Sequence, residues 1–437
     1  GCMPRPTAAR WSSWSGAVKA NPTHIVRPES VAELAALVTA VDERGGTVRP
    51  TGTGHSFAPL ASSEDTMVQL DLLDRDRVDI APDGRSVTVS GGTTLRVLAH
   101  RLAAAGLAVP RFGDIDGQTV AGALSTGTHD TGSGLGPLHT AVEGVELVDG
   151  TGTVRWVDHA DLPAARLGLG ALGVIVRVRM AVTPAVVLAT RTAKVRLDDV
   201  LADFPHHAAD HDLAEFSWLP HTGWARLRLG DVTDEPPTAS MTVRRAADLL
   251  ADRGSTWVAG QVARTFPERS SVLAGFLAAT TGDVASRRPG HEAARALPPL
   301  RFQSTAFAVP VDALGPLVRQ LEALVARDDL PLVLPVRVRT VAADHSAWLS
   351  PMWDRESLVV SVRTVRGMPY TALFGVVQQL CRGFGGRPHW GLMHTLGVEE
   401  LSELYPRWAD FVEVRRRFDP RGILESPYLR RVLGPIS

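Results

Sequence analysis

Cysteine, tyrosine and lysine are scarce in these 437 residues. There are two cysteines, Cys2 and Cys381, and three tyrosines. Of the 46 basic residues only Lys19 and Lys194 are lysines; the other 44 are arginines. Two cysteines exclude a disulfide scaffold and a cysteine-rich metal cluster. No run of ~18 apolar residues occurs, so no membrane-spanning helix is expected. The opening residues lack a charged stretch leading into an apolar core, so no secretory leader is expected, and the reading is cytoplasmic. An excess of one charge is missing too. Lys+Arg 46 against Asp+Glu 47 gives a formal net charge of −1, which argues against a nucleic-acid footprint or a polybasic membrane anchor. The histidines show no ligand spacing, and no metal site is expected.

What is present is apolar residue in quantity (44%), enough for two or three structural units. The arginine bias, with abundant Ala, Leu, Gly and Val, suggests a GC-rich bacterial genome. Drift there would exchange lysine for arginine and not for an apolar residue.

Along the chain, Ser30 to Glu43 and Thr94 to Ala105 carry helical spacing, and Thr47 to Pro50, Met67 to Leu70, Val78 to Ile80 and Ser86 to Ser90 read as strands. Beyond about Pro184 longer strand-like runs alternate with helices at Val311 to Arg327 and Tyr370 to Cys381. Arg264 to Pro299 is less regular, and Glu399 onward reads as one helix followed by the turn Phe418 to Gly422. The expectation is an α+β protein with units 1–185 and 186–398, and a tail, 399–437, returning to one of them.

Two glycine-rich segments stand out. Thr51-Gly52-Thr53-Gly54-His55-Ser56 follows a strand, and glycines let backbone N–H groups approach an anion closely. It is neither a dinucleotide G-x-G-x-x-G nor a P-loop. Gly113 to Gly132 places Thr119, Ser125, Thr126 and Thr128 among further glycines, Gly122 and Gly127 included. Two such loops suggest a dinucleotide; alone, either could be a plain turn. His55 reads either as a loop histidine or as an imidazole nucleophile beside a cofactor. His389-Trp390-Gly391 is equally open.

These residues carry a resemblance. Arg49 to Ser56, Thr119 to His129, Leu169 to Ile175, Glu215 to His221, Leu349 to Pro351, Gly385 to Gly391 and Arg415 to Gly434, in that order, resemble the aldonolactone/alditol oxidase group of vanillyl-alcohol-oxidase-type (PCMH) flavoproteins. That group includes gulonolactone, arabinonolactone, xylitol and sorbitol oxidases. The resemblance implies an FAD-binding domain of two subdomains, a mixed α/β substrate cap, and a tail returning to the FAD domain. It implies FAD joined at its 8α position to His55. Thr51 to Ser56 and Thr126 to His129 would lie at the phosphates, with Thr119 and Gly122 nearby and Val174 or Ile175 beside the adenine. Gly113, by resemblance, is the small residue that leaves O2 a path to the flavin. The reaction implied is oxidation of a CH–OH group of a sugar-, polyol- or lactone-like substrate at flavin N5, with O2 giving H2O2.

Three positions depart from the group. Where polyol-oxidising members read Pro-x-Glu-x-Arg, this chain has Pro335-Val336-Arg337-Val338-Arg339. Strand alternation puts 337 and 339 on one face. Arg339 is the expected partner of the reduced flavin's negative charge, while Arg337 reverses a charge. Leu392 replaces the usual lysine after His389-Trp390-Gly391, and Asp114 stands where a serine near N5 is common. Asp114 and His389 are the candidate bases. Asp114 and Arg337 could pair with each other or hold a charged substrate, an amine or a carboxylate. The alternatives are a tailoring oxidase or dehydrogenase of specialised metabolism acting on an aminosugar or carboxylate-bearing substrate, or a flavin-binding protein without turnover.

Overall fold

The computed structural model describes residues 9–110, 117–129, 136–238, 257–279, 283–293, 301–327 and 330–436. Ser30 caps the first helix, Val31–Glu43, its side chain accepting from the Glu33 N–H, and Leu34, Val38 and Val41 form the buried stripe. That helix lies in a cluster with Val48 and Val68 from a three-stranded parallel sheet, His24–Val26, Thr66–Gln69 and Val48–Thr51. A five-stranded antiparallel sheet follows, in the order Val154–Val157, Val142–Val148, Val174–Ala181, Ser86–Ser90, Val78–Ile80. These two sheets make the N-terminal half.

The second half is built on an eight-stranded sheet. Its central strands run in the order Trp224–Thr233, Leu213–Leu219, Val336–Val341, Ser357–Val365, Phe302–Pro310, all antiparallel neighbours. One face carries Phe216, Val338, Val360 and Phe307. They share the main core with the apolar stripes of helices Leu197–Asp210, Leu314–Val325 and Thr371–Gly383. The opposite face is polar and carries Glu215, Ser217, Arg337 and Arg339.

The single helix expected from Glu399 is broken. Pro406 lacks an N–H and fixes its own φ, so Val398–Leu404 stops and Trp408–Phe418 starts afresh. A third helix, Pro427–Leu433, follows the turn. That turn packs on the first half: the Val48 N–H donates to Ile423 O at 2.8 Å and Gly150 N–H to Phe418 O at 2.8 Å. Among the described residues no helix is long and apolar enough to cross a membrane.

Candidate active site

Strand Val48–Thr51 delivers the first glycine loop, and Arg49 anchors it. Arg49 is 2% exposed and donates to the carbonyls of Leu60, Leu169, Gly170 and Leu424 at 2.6–3.0 Å. Beyond it the loop runs against the second one with no room between. A Cβ at Gly52 would stand 2.5 Å from Thr119 Oγ1, and the Thr53 hydroxyl donates to Gly117 O at 2.8 Å. Gly54 has φ +74°, a left-handed conformation that suits glycine. His55 is half-buried, its ring 5.9 Å from that of Trp14. A Cβ on Gly117 would lie 2.9 Å from its Nε2.

Thr119 caps the short helix Val120–Ser125, accepting from the Gly122 N–H at 3.1 Å. The helix ends at Thr126 and Gly127, whose φ is +71°. Thr128 bonds Gln118 at 3.2 Å. His129 is buried, and since a carbonyl only accepts, its Nδ1–H donates to Gly127 O at 3.3 Å. Its Nε2 is buried without a hydrogen-bond partner among the described residues. Val174 and Ile175 place their side chains in the core, Ile175 in the same cluster as Val120, Ala123 and Leu124 of that short helix. Gly113 and Asp114 lie outside the described residues.

The other wall is the polar face of the large sheet. Opposite residues of antiparallel strands share a face. One row reads Arg228, Glu215, Arg339, Val359, Ala308 and the next Arg226, Ser217, Arg337, Ser361, Ala306. Phe302, on the same face, meets Trp14 at 5.5 Å and Phe57 at 5.3 Å, so this face turns towards the His55 loop. Arg337 is held by Glu215. Its Nε and Nη2 reach Glu215 Oε2 at 2.8 and 2.6 Å, while Arg228 reaches Oε1 at 3.2 Å. Glu215 opens one of the segments that carry the resemblance, but its place beside Arg337, 122 positions on, is set by sheet topology alone.

Segment His389–Met393 closes the site. The Phe57 N–H donates to Gly391 O at 2.8 Å, and a Cβ on Gly391 would meet Thr126 at 3.3 Å and Ser56 at 3.4 Å. His389 lies 5.1 Å from the His129 ring. Its Nδ1 accepts from the Gly391 N–H at 3.0 Å, which leaves the proton of the neutral ring on Nε2. Burial, then the Arg339 charge, pushes His389 down to about 4. Burial, then Arg339, His389 and Arg337, holds His129 well below the usual histidine range. Both rings are therefore neutral near pH 7. Leu392 packs against two apolar clusters, one holding Ala306, Ala308 and Val359 and the other Phe57 and Phe302. Glycine-lined loops, a buried acceptor at His129 Nε2 and the buried cation Arg339 fit a flavin dinucleotide, which is both anionic and a hydrogen-bond donor.

Comparison with known proteins agrees. Residues 178–432 match the D-arabinono-1,4-lactone oxidase family, and residues 22–158 match the FAD binding domain family. L-gulono-1,4-lactone dehydrogenase of Mycobacterium tuberculosis is 32% identical over 426 residues, covering 97% of this chain and 99% of its own. Alditol oxidase of a Streptomyces species is 29% identical over 443 residues, 97% and 98% of the two chains. Among solved structures, a solvent-stable cholesterol oxidase aligns with TM-score 0.81 at 18% identity over 98% of each chain, a likeness of fold.

Proposed function

Since the chain belongs to the D-arabinono-1,4-lactone oxidase family of FAD-dependent oxidoreductases, we propose that it oxidises a CH–OH group of a sugar-, polyol- or lactone-like substrate, with O2 as the electron acceptor. The observation that carries this reading is the convergence of Arg339, His389 and His129 where the two glycine loops meet the polar sheet face. When bound, FAD would supply the two-electron oxidant for the CH–OH carbon, with O2 as the acceptor that restores it. His55 would fix it covalently through the 8α carbon, and Thr51 to Ser56 with Thr126 to Thr128 would hold its phosphates. Arg339, buried and cationic, would offset negative charge on a reduced flavin held here. His389 offers its Nε2–H to a substrate oxygen. The hydroxyl proton then falls to the remaining candidate base, Asp114.

The test is the visible spectrum before and after acid precipitation. Yellow colour should stay on the precipitate and be lost from it in His55→Ala. Flavin released from the native protein by acid would overturn the covalent link, and a colourless native protein the redox reading. The assignment of O2 has its own check. Gly113→Val should slow reoxidation by O2 far more than anaerobic reduction; equal slowing removes the basis for an oxidase.

A further inference from the structure

We infer that the substrate carries a carboxylate beside the CH–OH group it yields to oxidation, a sugar acid in place of a neutral lactone or alditol, and that Arg337 is the residue that binds this carboxylate. The inference rests on the oxidoreductase reading above and deepens it.

The first observation is the charge of the wall. On the polar face of the five central strands stand Arg226, Arg228, Arg337, Arg339 and Arg363, with Glu215 the one carboxylate among the described residues. A polyol needs paired donors and acceptors, as a glutamate at 337 would supply. An arginine there supplies only donors, in a planar fork that matches a two-oxygen anion.

The second observation is how Arg337 is presented. Its cross-strand neighbours on this face are Ser217 and Ser361, and the next residue along the row is Ala306. These are short side chains, and two of them set a hydroxyl beside the guanidinium. Glu215 gives Oε2 to Arg337 and Oε1 to Arg228, and is itself 7% exposed. An arginine held this way loses little further freedom on binding an anion. Thirdly, Leu392 puts an apolar side chain against Ala306, Ala308 and Val359. It adds no second cation to this wall.

The carboxylate is a spectator. The CH–OH carbon becomes C=O, losing two electrons and two hydrogens; FAD is the oxidant that accepts the electron pair. The carboxylate neither gains nor loses atoms.

A matched pair of probes isolates the charge: L-gulonate and L-gulono-1,4-lactone share a carbon skeleton and differ by one hydrolysed ester. Anaerobic flavin reduction by the holoenzyme should favour gulonate in kcat/KM by roughly tenfold to a hundredfold, the worth of a charge-assisted hydrogen-bonded pair. The gulonate KM should rise with salt while the lactone KM stays level. In Arg337→Gln the gulonate-to-lactone ratio should fall towards one. Malonate, which has no CH–OH to oxidise, should perturb the visible flavin band of the wild type and bind at least about tenfold more weakly to Arg337→Gln. Reduction faster with the lactone or with glucitol, or malonate binding indifferent to the substitution, overturns the inference and leaves the oxidoreductase reading standing. Reduction by none of the three in a protein that holds FAD overturns both. The wild-type ratio and its salt dependence decide the matter even if the variant does not fold.

Discussion

Single side chains set the terms of this site, and Arg49 is the clearest case. Its guanidinium satisfies carbonyls from the strand's own loop, from the Leu169–Gly170 turn and from the C-terminal turn at Leu424. Burial, with Arg415 nearby, pushes it down to about 10, so it remains a cation at neutral pH. Lysine keeps the charge but offers one nitrogen where a fork with three donor atoms is used. Arg49→Lys should therefore cost roughly 2–4 kcal/mol, the desolvation of carbonyls left without donors. A urea midpoint that does not move would contradict this. His389 gives a prediction of opposite sense. With its ionisation near 4, no step in flavin reduction between about pH 5 and 8 belongs to it. Any acid limb it causes lies below that range and should be absent in His389→Asn, as pH-dependent stopped-flow traces would report. A histidine limb near 6.5 that disappears in the variant would mean the ring is solvated in the holoenzyme.

The loops and strands add what single residues cannot. Glycine 52 exists because two backbone segments must touch: any Cβ there collides with the hydroxyl that caps helix Val120–Ser125. Gly52→Ala should dislodge that cap, worth about 1 kcal/mol, and spread the loops apart. Flavin-to-protein stoichiometry should drop while the far-UV circular dichroism holds. Full flavin loading would show that the loops tolerate separation. The same elements mark where sequence reading succeeds. Ser30 as a cap, the helix after it, strand Val48–Thr51 and the alternation of Arg337 with Arg339 are local properties, written in periods of 3.6 and 2. Glu215 beside Arg337 is not local. Nothing within a few residues of either says that strand Leu213–Leu219 pairs with Val336–Val341 antiparallel, with Ser217 opposite Arg337. For that reason the sequence offers Asp114 as one partner for Arg337 among other readings, while Glu215, the carboxylate that the fold brings to it, carries no local sign. The break at Pro406 was legible, but the apolar periodicity on both sides of it masked the stop.

Across the whole molecule, the two halves are joined by a buried histidine–aspartate hydrogen bond. His139 Nε2 and Asp344 Oδ2 are 2.6 Å apart with no side-chain exposure on either. One comes from the turn that follows the second glycine loop, the other from the segment after strand Val336–Val341. A Cβ on Gly127 would lie 4.0 Å from the His139 ring, so the pair sits directly behind the loop expected to hold phosphate. Burial raises the Asp344 carboxyl, but the His139 charge and hydrogen bonds from His139, Ser346 and Ser350 outweigh it and hold the group well below the usual carboxylate range. The sign follows from that depression. An aspartate more acidic in the folded state stabilises the fold above its unfolded pKa of about 3.9, and the stabilisation is lost as pH falls below it. Asp344→Asn weakens the acceptor that His139 and Ser346 share in a site closed to water, at a cost of about 1–3 kcal/mol. Asp344→Asn should thus be markedly less stable than the wild type at neutral pH, and the gap should narrow between about pH 4 and 2. Urea titrations of both proteins at neutral and acid pH measure it. If the gap stayed constant through that window, the pair would be acting through packing alone, and the joint between the halves would rest on shape and not on charge.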